Sequence, residues 1–480
     1  MRQTIPQRQL GDVGIENIAL DYKSRDDIPA ILIGLQHLYT DKTLREQLFA
    51  LLEEKMVPNV NHKLGRPGMD LWQILVMGVL MQGLNCDYDR LQDLVNEHKT
   101  IRKFLGHSDI FDDSRYSYQS VVDNVTLLSP ELLVAVGKLV VDSGHQVSKK
   151  KPGAPLRGRC DSFVVETDVH YPTDVNLLWD AMRCLLRTLG CEANAAHIGG
   201  WRQCKHLTAS VRRKFHAVRK TRRASPEDVR AYLGQCGDLV TRTEETLLAL
   251  RVVGITKDKD LVAMANYLRH ARRQIDQIDR RLLQGETIPT AEKVYSIFEE
   301  HTRWISKGKA GTPVELGVPV CVLEDDCGFI LHHRIMWAGS DVDHAQPMIE
   351  ETQACFPSLR ACSFDRGFHS PANRVRLDEL LADNVLPRKG YLTKADKERE
   401  SGANFVAMRK EHPGIESKIN SLEHHGLARV RAYGADGFER VVALSVVACN
   451  IHHLGRLLRR KKKDELKRLL VRDKRPRLVA

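Results

Sequence analysis

The chain has 480 residues, 73 Lys and Arg against 62 Asp and Glu, a formal net charge of +11 and 42% hydrophobic residues. That length exceeds one ordinary core, and the apolar content excludes a disordered or fibrous chain. The apolar run around Ile74 to Met81 is too short to span a bilayer, and MRQTIPQRQL lacks the apolar centre of a signal peptide, so a cytoplasmic protein without a membrane partner is expected.

Residues 1–28 are polar and read as a flexible segment. Residues 29–147 read as an all-α domain. Ile31, Leu35 and Leu38, then Leu44, Leu48 and Leu51, recur at helical spacing, and Thr40-Asp41 divides two helices. A third helix starts near Met69, Gly83 and Asn85 form a turn, and Tyr88 to His98 follow as a fourth. Helix, glycine turn, helix suits a DNA-reading motif and equally a plain bundle. Ser129-Pro130-Glu131 opens a later helix.

SKKKPGAPLRGRC, at 148–160, reads as a basic linker. Beyond it DSFVVETDVHY alternates as a strand does. Residues 176–300 read as a helical, highly charged insertion. Strands return in VELGVPVCVLEDDCGFILHHRIMWAG, then a helix from Ala345, a strand at Leu359–Phe364, a helix opened by Ser370-Pro371, a strand at Val385–Pro387 and a helix after Pro413. The expected fold is thus an α/β core, 161–175 with 301–455, interrupted by the insertion, preceded by the helical domain and followed by a basic tail at 456–480.

Eleven scattered cysteines without a CxxC pair give no disulfide framework or zinc ribbon. The adjacent histidine pairs, such as His332-His333, lack metal-ligand spacing. GxxxxGK[ST] and GxSxG are both absent. Positive charge is concentrated instead: Lys205, Arg212, Arg213, Lys214, Arg219, Lys220, Arg222 and Arg223 occur with no acid between them, and a second cluster starts at Arg456. Two such clusters in a basic chain point to a polyanion.

Three acids occupy special places. Asp161 opens the first strand after the linker, Asp365 ends the strand RACSFD, and Glu416 lies in the first turn of the helix after Pro413. Carboxylates brought together repel unless a cation neutralises them, and hard oxygen donors select Mg²⁺ or Mn²⁺. Two such ions cleave and join phosphodiesters.

DSFVVETDVHYPTDVNLLWDAMR, KGKAGTPVELG, FDRGFHSP, HPGIESKINSLEHHGL and VACNIHHLG, in this order, resemble bacterial insertion-sequence transposases of the DDE class, in particular the ISNCY-type families. The likeness covers most of 29–455. It implies a ribonuclease-H-like catalytic core, two divalent ions, and double-stranded DNA as partner: terminal inverted repeats and a target site. The implied reaction is hydrolytic nicking followed by 3′-hydroxyl strand transfer, by a homodimer or larger assembly at the nucleoid. The pattern's acids fall on Asp161, Asp365 and Glu416, which would be catalytic and hold the metal. Asp168 is a rival for the first; Asp161 is preferred because similar sequences often carry Asn at that place. His170 to Asp174 form an HYPTD signature whose chemical role the sequence does not give. Glu423 stands where a related pattern has Lys, and His412 where it has Arg, which leaves Arg409, Lys410 or Lys418 to contact phosphate. Arg388 and Lys389 follow a core strand and read either as further phosphate contacts or as a solvated turn, and the basic stretch Arg212–Lys220 in the insertion is expected to track the DNA backbone. Lys307-Gly308-Lys309 reads as a loop. The alternatives are an inactive or domesticated DNA-binding protein, and a metal-dependent nuclease without strand transfer.

Overall fold

The computed structural model describes residues 4, 13–56, 68–108, 112–220, 224–254, 256–306 and 314–473, apart from the side chains of 220 and 470–473. Two compact units emerge, 1–166 with 317–480, and 167–316.

In the first unit seven helices precede the sheet: α1 (Asp27–Thr40), α2 (Lys42–Met56), α3 (Leu71–Gly83), α4 (Tyr88–Glu97), α5 (Lys99–Phe104), α6 (Tyr118–Val125) and α7 (Pro130–Val147). Their starts follow from side-chain caps: Asp26, Asp87, Ser117 and Ser129 each accept a hydrogen bond from a first-turn N–H. The helix α3 is buried on every side; Trp72 Nε1 and Gln73 Nε2 donate to the carbonyls of Phe104 and Leu105 at 3.0 and 2.7 Å.

The sheet begins with β1 (Leu156–Thr167). The second unit then carries α8 (Asp174–Ala195), α9 (Cys204–Lys220), α10 (Pro226–Val253), α11 (Asp258–Ile278) and β2 (Arg303–Ser306). Its helices share a core that includes Leu178, Leu185, Trp201, Tyr232 and Met264. Back in the first unit follow β3 (Val314–Asp325, entering it at Gly317), β4 (Ile330–Ile335), α12 (Asp341–Cys355), β5 (Leu359–Phe364), α13 (Pro371–Leu380), β6 (Asp383–Val385), α14 (Lys394–Glu400), α15 (Ala403–Glu411), α16 (Gly414–Leu422), β7 (Arg429–Val430) and α17 (Gly434–Asp473).

β3 runs antiparallel to both β4 and β1, and β5 and β6 extend the sheet in parallel from β1. Alternation along the strands divides the faces. Phe163, Val165, Val320 and Val322 pack with Ile415, Leu422 and Val442 of α16 and α17. Cys160, Cys321, Leu323 and Phe364 point into the core shared with α1, α3, α7 and α12. Asn450 of α17 extends the edge of β4: its Oδ1 accepts from Ile330 N–H and its Nδ2 donates to Ile330 O, both at 2.9 Å.

The helix read from Ala345 starts at Asp341, the strand read at Val385–Pro387 lies at Asp383–Val385, and three larger boundaries also differ from the sequence reading. The strand starts at Leu156, because Leu156, Gly158 and Cys160 face inward while Arg157 and Arg159 do not; the linker therefore ends before it. The helical residues 29–147 are no separate domain, since their apolar faces close on α17 and the sheet in one core. The basic segment from Arg456 continues α17 as helix to Asp473. Among the described residues α17 is also the one single helix long and apolar enough to cross a membrane, and its apolar stretch is mostly buried inside the protein. Lys307–Lys309 and Arg222–Arg223 lie outside the described residues.

Candidate active site

The site forms where β1 and β5 run side by side. Cys160 pairs with Phe364, the last residue of β5, so Asp161 and Asp365 follow at adjacent positions. Asp365 caps a short turn, accepting from Gly367 N–H at 3.4 Å. Glu416 is brought in by α16, whose start is tied to both strands. Arg159 Nη1 donates to Glu411 O at 3.2 Å, and His412 Nδ1 meets Ser363 Oγ at 3.0 Å.

A fourth carboxylate joins them, and sequence reasoning missed it. Asp341, the first residue of α12, accepts from Ser162 Oγ at 2.6 Å. A Cβ placed on Gly367 would stand 2.7 Å from Asp341 Oδ2 and 3.7 Å from Asp365 Oδ2, so Gly367 is what lets these two acids approach. The segment SDVDHA reads as an ordinary acidic helix start, which conceals the role of its first Asp.

The acids feel one another electrostatically. Burial pushes the Asp161 carboxyl from 3.8 up to about 6; the Ser162 N–H, at 2.8 Å, opposes the rise, while Asp365, Asp341 and Glu416 add to it. Asp168 is exposed beyond the end of β1 and is not among these charges. Burial holds the His412 imidazole below its usual range, with Asp365 and Glu416 pulling it up and Arg159 down. An imidazole thus stands where the related pattern has Arg.

The carboxylate oxygens do not close to within 4.8 Å of one another as a set; among the described residues only His145, Asp325 and Cys327 do so. Mutual repulsion keeps bare acids apart.

The raised carboxyl makes a stability prediction. Folded Asp161 holds its proton more tightly than the unfolded chain does. Its stabilisation is complete below pH 3.8 and is lost as pH rises through about 6, by about 3 kcal/mol. Without divalent ions at pH 8, Asp161→Asn should therefore melt at a higher temperature than the parent. At pH 4 the gap should shrink, and Mn²⁺ should stabilise the parent alone.

The other expected phosphate contacts separate into two groups. Arg388 pairs with the buried Asp396, the exposed Arg409 with Glu400 at 3.2 Å, and buried Lys418 with Glu324 at 3.8 Å, so each already has a carboxylate partner. Lys389 and Lys410 are exposed. On α9, Arg212, Arg213 and Arg219 are exposed, Arg219 lies over the Phe215 ring at 5.8 Å, and Lys214 Nζ donates to Ala231 O. Lys220 ends the helix.

No protein-family profile, curated protein or solved structure matches the chain.

Proposed function

We propose that this protein is a DDE-type DNA transposase that nicks and joins DNA ends in a ribonuclease-H-like core. The observation that carries the reading is that Asp365 and Glu416, 204 (365 − 161) and 255 (416 − 161) residues after Asp161 in sequence, lie near enough to help raise its half-buried carboxyl. A sheet of antiparallel strands extended by two parallel ones, with Asp161 in the middle of β1 and Asp365 just past the end of the neighbouring β5, supports the same reading.

Asp161, Asp365 and Glu416 would hold Mg²⁺ or Mn²⁺. Bound there, the ions would activate a water or 3′-hydroxyl and stabilise the leaving oxygen. Asp341 positions Ser162, and with it the backbone N–H that binds Asp161. Arg159 stands against the buried Glu324 at 2.9 Å and anchors the loop before Glu416. His412 holds the start of α16 against Ser363 of β5.

The DNA partner is tested on α9. Replacing Arg212, Arg213 and Arg219 together by Ala should lower affinity for any duplex. It should also cut the slope of log K against log salt by about 3, roughly one per lost phosphate contact. Fluorescence anisotropy from 50 to 200 mM salt reads it; an unchanged slope would place the duplex elsewhere. Cleavage of a duplex bearing the element's ends, followed by joining into a target plasmid, tests the chemistry. Nicking without joining would leave a nuclease.

A further inference from the structure

The HYPTD signature has structural tasks for most of its residues. His170 Nε2 stands 3.3 Å from buried Asp180, Thr173 caps α8 by accepting from Asn176 N–H, and Asp174 pairs with Arg281 at 2.6 Å. Tyr171 is the exception. The residue is 63% exposed.

That ring borders a cleft of about 630 Å³ within the second unit. Tyr171 meets Trp304 edge-on at 5.8 Å, and Trp304 lies 5.6 Å from Tyr295 at a tilt of 33°. Arg281 and Lys293 border the same cleft. Arg281 is balanced by Asp174, whereas Lys293 is exposed with no acid within 4.0 Å among the described residues. The cleft therefore offers flat aromatic faces beside an uncompensated cation, in a volume typical of a ligand site.

We propose that this cleft takes an unpaired nucleotide of the DNA substrate, its base against Tyr171 and Trp304 and its phosphate toward Lys293. Aromatic faces stack bases of any sequence, and cations hold the backbone beside them. Paired bases have their faces covered by neighbours in the helix, so only a base out of the stack can use such rings. The inference rests on the DNA reading above and adds the state of the DNA that the second unit selects.

The test compares two duplexes in full-length protein: one fully paired, one with a single unpaired 2-aminopurine. Wild type should prefer the unpaired probe and quench its fluorescence. Tyr171→Ala and Trp304→Ala should each lose about 5- to 150-fold in affinity for that probe, the worth of one stacked base. Affinity for the paired duplex should be unchanged, and Tyr171→Phe should behave as wild type. Equal binding of both probes by wild type, a preference that survives both alanine variants, or displacement of the probe by free deoxyadenosine monophosphate at equal concentration would overturn the proposal. Failure of wild type to bind either duplex would instead overturn the DNA reading beneath it.

Discussion

Asp365→Asn should abolish Mg²⁺-dependent nicking of a duplex carrying the element's ends, by about 10³-fold or more. Removing one anionic ligand takes away several kcal/mol of metal-borne stabilisation of the reacting phosphate, and each 1.36 kcal/mol is tenfold in rate. The substitution keeps the size of the side chain and its ability to accept from Gly367 N–H, so the turn at Arg366–Phe368 should persist. Glu416→Gln should behave alike, because Glu416 shares the charge around Asp161. Asp168→Asn should retain activity, since Asp168 lies outside that group. A labelled-strand cleavage assay in Mg²⁺ and Mn²⁺ measures all three. Cleavage by Asp365→Asn at the parent rate would remove the catalytic assignment.

Gly455→Ala should cost about 3 kcal/mol or more. Where α1 and α17 cross, a Cβ at Gly455 would strike the carbonyl oxygen of Ala30, and one at Gly34 that of Ile451. Both obstacles are backbone, so relief requires moving a helix, and overpacking a dense core costs about 1–3 kcal/mol, sometimes more. The crossing lies among Ile31, Leu35, Ile451 and Leu454, which join the helical residues to the sheet. Gly137→Ala in α7 is the control. Its Cβ would meet only Val447 at an ordinary 3.6 Å, and the helix gains up to about 1 kcal/mol of propensity. Urea unfolding should separate the two variants by several kcal/mol; equal midpoints would contradict the packing argument.

Element positions were legible where local chemistry decides them. Ser129 and Ser370 cap the helices they announce, and Leu359–Phe364 is a strand as read. Long-range packing was not legible. Nothing local ties Ala30 to Gly455, so the helical residues looked like a separate domain. LRGRC looked like linker because its inward positions are Leu, Gly and Cys rather than a conspicuous apolar alternation.

The candidate site divides in the same way. Asp161, Asp365 and Glu416 were singled out through ordered motifs, and Asp365 and Glu416 help raise the Asp161 carboxyl. Asp341 was hidden because an acid at a helix start has a sufficient reason in the dipole. Lys418 and Arg388 looked like phosphate contacts because a sequence does not display the buried Glu324 and Asp396 that engage them. Tyr171 carried a motif without a purpose until Trp304, distant in sequence, supplied its neighbour.

The most direct test of the central claim is diffraction from crystals grown with Mn²⁺, collected at an energy where manganese scatters anomalously. The account predicts two anomalous peaks bounded by Asp161, Asp365 and Glu416, absent in Asp365→Asn crystals. No peak there, or manganese confined to His145, Asp325 and Cys327, would contradict it.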